Sequence, residues 1–148
     1  MRSVASDDVT LFYTDASALV KLVRDEPESQ ALRAFIDGAD LVSSELVLTE
    51  ILRAIRRAVT GDVRLPLDLL TARAGELIDA VSLVPVGREV LEAAGALSEP
   101  ALRALDAIHV ASALVLWPLD GFVSYDQRQA AAARLAGLRT VAPGRKGS

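Results

Sequence analysis

Leu11-Phe12-Tyr13-Thr14-Asp15-Ala16-Ser17-Ala18-Leu19-Val20 is the stretch around which the chain is organised. A run of apolar, branched and aromatic residues ends in an aspartate. Small residues then lead into apolar positions at helical spacing. This predicts a strand over residues 9–14 and a helix over 16–23, with Ser17 capping the first turn. In an open parallel sheet, ligands bind beyond the carboxyl ends of the strands, where Asp15 would stand.

Working outward, helices are expected over residues 28–36, 44–59, 67–81, 88–97, 103–116 and 126–135. Ser43 or Ser44 would cap the second of these, and 60–62 would be a turn after it. Strands fit residues 40–43, 82–86, 121–124 and 139–141, with Gly137 closing the last helix. Strands that alternate with helices mean parallel connections and a sheet covered on both faces. The expected fold is a three-layer α/β/α sandwich with a central parallel sheet of four to five strands. It forms a single domain over residues 1–148, with 1–8 a flexible leader and 143–148 a flexible tail.

At 148 residues the chain is long enough to bury one substantial core, and 51% hydrophobic residues exclude a disordered protein. Without cysteine, disulfides and thiolate metal sites are impossible. Residues 1–8 lack the apolar run of a signal peptide, and no apolar stretch approaches bilayer length, so a cytoplasmic protein is expected. A net charge of −4 argues weakly against nucleic acid, but fourteen of the sixteen basic residues are arginine, which suits bidentate phosphate contacts.

Three further acids interrupt apolar helical patterns: Glu50, Asp106 and Asp126. Asp15 and Asp126 both fall at strand-to-helix junctions, hence at one sheet edge. Glu50 and Asp106 lie near the starts of helices that can point there. Read singly, Asp15 is a loop or cap residue, Glu50 pairs with Arg53, and Asp126 caps a helix. Jointly, four carboxylates in one pocket raise one another's pKa values unless a cation compensates. A hard divalent ion such as Mg²⁺ or Mn²⁺ would do so through oxygen ligands. His109, the one histidine, follows Asp106 by a turn, and a supporting or core role is expected for it. There is no paired-histidine zinc motif, no nucleophile-elbow serine and no glycine-rich phosphate loop.

Several segments in order carry a family resemblance. They are Tyr13-Thr14-Asp15-Ala16-Ser17-Ala18-Leu19-Val20-Lys21-Leu22, Ser43-Ser44-Glu45-Leu46 through Thr49-Glu50 and Arg53, and Leu102-Arg103-Ala104-Leu105-Asp106-Ala107-Ile108-His109-Val110-Ala111-Ser112-Ala113. Val123-Ser124-Tyr125-Asp126-Gln127-Arg128 and Ala132-Ala133-Arg134-Leu135-Ala136-Gly137-Leu138 complete the set. The chain resembles the PIN-domain ribonucleases, specifically VapC-type toxins of bacterial toxin–antitoxin pairs. The resemblance implies Mg²⁺-dependent endonucleolytic cleavage of RNA, commonly tRNA or rRNA, with Mn²⁺ able to substitute. It also implies a homodimer and inhibition by a VapB-type antitoxin. The family's acidic quartet lands on Asp15, Glu50, Asp106 and Asp126, with Asp15 and Asp106 the direct metal ligands. Ser17 and Ser124 would support the site through hydrogen bonds. Arg53, Arg56 and Arg57 are candidates for RNA-backbone contacts. The leader is longer than the family's usual start.

Other readings fit less well. A haloacid-dehalogenase-type phosphatase needs a second aspartate two positions after the first, where Ser17 stands. A receiver domain needs paired acids and a late lysine, and neither appears. A PIN nuclease without an antitoxin and a catalytically silent PIN-like binding module are the remaining alternatives.

Overall fold

A computed structural model of the protein describes residues 9–146, so the expected leader and the last two residues lie outside the described region. Five strands alternate with seven helices among the described residues. They run β1 (Leu11–Thr14), α1 (Ala16–Val23), α2 (Ser29–Ile36), β2 (Asp40–Ser44), α3 (Val47–Gly61) and α4 (Leu67–Ala80). The second half runs β3 (Ser82–Val84), α5 (Arg88–Gly95), α6 (Ala104–Val115), β4 (Gly121–Val123), α7 (Gln127–Leu135) and β5 (Thr140–Val141).

The sheet has the order β3-β2-β1-β4-β5 and every pairing is parallel. The chain builds outward from β1 through β2 to β3, then returns to the other side of β1 for β4. Such a reversal opens a crevice at the carboxyl ends of the two neighbouring strands, here β1 and β4. Their approach is close. Phe12 pairs with Gly121, and a Cβ at that glycine would stand 3.2 Å from the Phe12 ring.

Side-chain alternation along the strands feeds two cores. Tyr13, Val42 and Phe122 pack beneath Val110 and Ala113 of α6 and Ala132 and Ala133 of α7. Phe12 and Val123 face the opposite side, with Ala18 and Leu32. There α1, α3 and α4 close a second core of Leu19, Val23, Val47, Ile51, Ile55, Leu70 and Ala74. The result is the expected three-layer α/β/α sandwich. Helix α6 is its central helix, buried without interruption from Ala107 to Ala113.

Several element ends differ from expectation. β3 stops at Val84, because Pro85 has no N–H to continue a ladder. α3 runs through Thr60 and Gly61, and the Asp62 N–H still bonds to Ala58 O at 2.9 Å. Ser43 and Ser44 belong to β2 rather than to a helix cap: Ser43 Oγ donates to Thr14 O at 2.5 Å, and Ser44 Oγ accepts from the Leu46 N–H at 3.1 Å. α7 ends at its cap Ala136, and Gly137 then takes φ +94°, a conformation glycine adopts at least strain. Pro143 and Arg145, read as tail, lie against Tyr125: its hydroxyl donates to Pro143 O at 2.7 Å, and Arg145 donates to its carbonyl.

Candidate active site

Asp15 leaves β1 in extended conformation and is itself the cap of α1, so Ser17 is not. Its Oδ1 accepts from the Ala18 N–H at 3.0 Å and from Ser17 Oγ at 2.6 Å. Its Oδ2 accepts from Ser124 Oγ at 2.5 Å, across the crevice from β4. The two serines are braced in turn: Ser17 Oγ accepts from the Tyr125 N–H at 2.9 Å, and Ser124 Oγ from the Asp126 N–H at 3.1 Å. Asp15 is 2% exposed, and among the described residues no lysine or arginine forms an ion pair with it. Burial pushes its pKa up, while the hydroxyls of Ser124 and Ser17 pull it back.

Asp106 stands in the first turn of α6 and Asp126 caps α7. Gln129 joins them, its N–H donating to Asp126 Oδ1 at 3.0 Å and its Nε2 to Asp106 Oδ1 at 3.1 Å. Burial, followed by the charge of Asp126, raises the pKa of Asp106. The two acids line an open groove of about 600 Å³ together with Tyr125, Arg103, Arg128 and Arg145.

Glu50 is held elsewhere. His109, 1% exposed, places Nε2 at 2.6 Å from Glu50 Oε1 and Nδ1 at 2.7 Å from the Tyr13 hydroxyl. A carboxylate only accepts, so Nε2 carries the proton; in the neutral ring Nδ1 then accepts from the tyrosine. Burial and the charge of Asp15 both raise the Tyr13 pKa, which keeps that phenol protonated.

Among the described residues, no three histidine, aspartate or glutamate side chains are grouped so as to hold a metal ion. The expected four-acid cluster is therefore not assembled as one coordination sphere. Asp106 and Asp126 share the groove, Asp15 is enclosed by serine hydroxyls beneath the crevice, and Glu50 is turned to His109. The donor chemistry nevertheless suits a hard divalent cation. All four side chains offer oxygen, and the buried carboxyl of Asp15 has no lysine or arginine partner among the described residues. Gln129 Oε1, a further hard oxygen beside Asp106, is buried and has no donor among the described residues.

The arginines of the groove were not found by sequence reasoning, which singled out Arg53, Arg56 and Arg57 instead. Those three are exposed along α3 and do not line the groove. Arg128 follows Asp126 by two residues, so its place in the motif was the available signal. Gln129 was legible too, because Asp126-Gln127-Arg128-Gln129 has capping-box spacing.

The PIN domain family matches residues 12–135. Ribonuclease VapC35 of Mycobacterium tuberculosis is 39% identical over 141 residues, covering 90% of this chain and 98% of that protein. Among solved structures, the sarcin-ricin loop cleaving toxin VapC20 of M. tuberculosis aligns with a TM-score of 0.66 at 18% identity, over 89% of this chain and 99% of its own. A chain of a toxin–antitoxin complex from Klebsiella pneumoniae aligns with a TM-score of 0.58 at 19% identity, over 82% of this chain and 90% of its own. The chain belongs to the PIN-domain family and, within it, to the VapC ribonucleases. It is accordingly an endoribonuclease. No helix among the described residues is long and apolar enough to cross a membrane.

Proposed function

We propose that the protein is a Mg²⁺-dependent endoribonuclease that cuts structured RNA, tRNA or rRNA, in the cytoplasm, and that it is the toxin of a type II toxin–antitoxin pair neutralised by a VapB-type antitoxin. The observation that carries this reading is Asp15: a carboxyl buried at the β1/β4 crevice with no lysine or arginine partner among the described residues, beside a groove lined by Asp106 and Asp126. The rRNA-cleaving VapC20 and the Klebsiella toxin–antitoxin complex share the fold, which supports the substrate class and the partner. Leu48 and Leu52, exposed a turn apart on α3, offer an apolar face for a homodimer.

Asp15 and Asp106 would hold the cation directly, and Glu50 and Asp126 would complete the site around it. Mg²⁺, or Mn²⁺ in its place, would supply charge stabilisation at the scissile phosphate and a more acidic water there. The protein's own groups do the rest. Ser17 and Ser124 fix both oxygens of Asp15 so that it cannot rotate away. His109 holds Glu50 by one oxygen and leaves the other to orient water. Arg103 and Arg128 at the groove grip the RNA backbone, with Arg53, Arg56 and Arg57 extending the contact along α3.

Cleavage of purified tRNA and rRNA by wild type and Asp106→Asn, with Mg²⁺ or with EDTA, tests the proposal. Discrete cuts that require both the metal and Asp106 are expected. Cuts that persist in EDTA or in Asp106→Asn would overturn it.

A further inference from the structure

Asp126-Gln127-Arg128-Gln129 has the spacing of a capping box. In that motif the side chain three residues into the helix reaches back to the N–H of the cap residue. Only half of the box forms. The Gln129 N–H donates to Asp126 Oδ1 at 3.0 Å, as the motif requires. The Asp126 N–H, however, is taken by Ser124 Oγ at 3.1 Å, and the Gln129 amide crosses to α6 to donate to Asp106 Oδ1 at 3.1 Å. The diversion leaves Gln129 Oε1 buried with no donor among the described residues, on a side chain that is 2% exposed. Turning the amide over would set its oxygen against the Asp106 carboxylate, acceptor facing acceptor, so Asp106 fixes the orientation. A buried acceptor without a donor is unfavourable, and an apolar side chain of the same length would avoid it. The local rule is broken at a residue whose backbone and side chain each hold an acid at the start of a different helix.

We propose that Gln129 is a positioning residue that sets the spacing of Asp106 and Asp126 for a divalent cation, holding one through its side chain and the other through its backbone. The inference rests on the metal reading given above and assigns one residue's part in it. Without the amide, Asp106 keeps its charge but loses the hydrogen bond that aims it. Asp126 keeps its backbone bond in any variant, so the effect of a substitution falls on Asp106. Groups that aim a ligand from behind commonly change metal affinity by about 10–100-fold when removed.

Gln129→Met preserves length and removes both polar atoms. Mn²⁺ titration calorimetry on the full chain should show affinity weakened by about 10–100-fold relative to wild type. Thermal unfolding of the metal-free variant should show little change in Tm, because the loss of the hydrogen bond to the partly exposed Asp106 is offset by removal of the buried orphaned oxygen. A role confined to packing would give the reverse pattern, a lowered Tm with unchanged Mn²⁺ affinity, and that result overturns the proposal. If the wild type itself gives no Mn²⁺ heat, the metal reading fails and takes this inference with it. Wild-type binding with an unaltered Gln129→Met isotherm overturns this inference alone. A measurement that needs no variant is the Gln129 side-chain amide resonance of ¹⁵N-labelled protein during Mg²⁺ titration. The resonance should shift as the site fills, and a resonance that stays fixed while the protein binds Mg²⁺ overturns the proposal.

Discussion

Ser124 holds two ends of the site at once: its hydroxyl donates to Asp15 Oδ2 and accepts from the Asp126 N–H. Ser124→Ala leaves a buried carboxylate short of one donor and a backbone N–H short of its acceptor. A hydrogen bond to a charged group contributes about 1.5–3 kcal/mol, so unfolding by heat or denaturant should show a loss of about 2 kcal/mol. Cleavage should fall with it. The carboxyls of Asp15 and Asp106 are both held above the ordinary 3.8, chiefly by burial. A raised folded pKa favours the folded state below the unfolded value, and that contribution is lost as pH rises through the folded one. Both groups therefore favour the metal-free folded protein less at neutral pH than in acid. In EDTA at pH 7, Asp106→Asn should melt above wild type, and the gap should close as pH falls toward about 4. A melting point below that of wild type at pH 7 would contradict this account.

At the scale of elements, α6 is the strut between the sheet and the site. Its buried face carries His109, which ties Tyr13 of β1 to Glu50 of α3. Replacing one partner of a buried hydrogen bond leaves the other unsatisfied, whereas replacing both by apolar groups of similar shape is close to neutral. His109→Leu should thus destabilise by about 2–3 kcal/mol, the upper end of that range, by stranding the Tyr13 hydroxyl. Adding Tyr13→Phe should recover part of the loss, so the double variant falls short of the sum of the singles. Strict additivity in denaturant unfolding would show that the two groups do not act through one another.

For the whole molecule, a net charge of −4 conceals a local reversal, since Arg103, Arg128 and Arg145 face the same groove as Asp106 and Asp126. Phosphate contacts release counterions, so binding falls with salt in proportion to their number. Arg128→Glu should weaken RNA binding at every salt concentration and lower the slope of log affinity against log salt by about 1. Arg56→Glu, on α3 and away from the groove, is the informative comparison. A smaller loss is expected there than at Arg128; a larger one would make α3, rather than the groove, the main RNA contact.

The order of strands and helices, the three layers and the placement of Asp15, Asp106 and Asp126 near element starts were all legible in the sequence. Periodicity and end residues are local signals, and they fix where an element begins and what stands at its tip. Element ends were misread where the deciding fact was a single backbone group, as at Pro85, or where a helix continued through a glycine, as at Gly61. The oxygen-by-oxygen pairing was not legible. Ser124 reaches Asp15 across 109 residues of chain, His109 reaches Glu50 across 59, and Gln129 reaches Asp106 across 23. Each pairing exists because β4 returns beside β1 and α6 packs against the sheet, which no window of sequence contains. The sequence by itself determined which acids this protein carries and that Asp15 and Asp126 stand at strand-to-helix junctions. The tertiary structure alone decided that Asp15 is enclosed by hydroxyls, that Glu50 is turned to a histidine and that Gln129 leaves its own helix end for Asp106. A side chain takes the partner that packing brings within about 3 Å, and packing is set by the whole sheet.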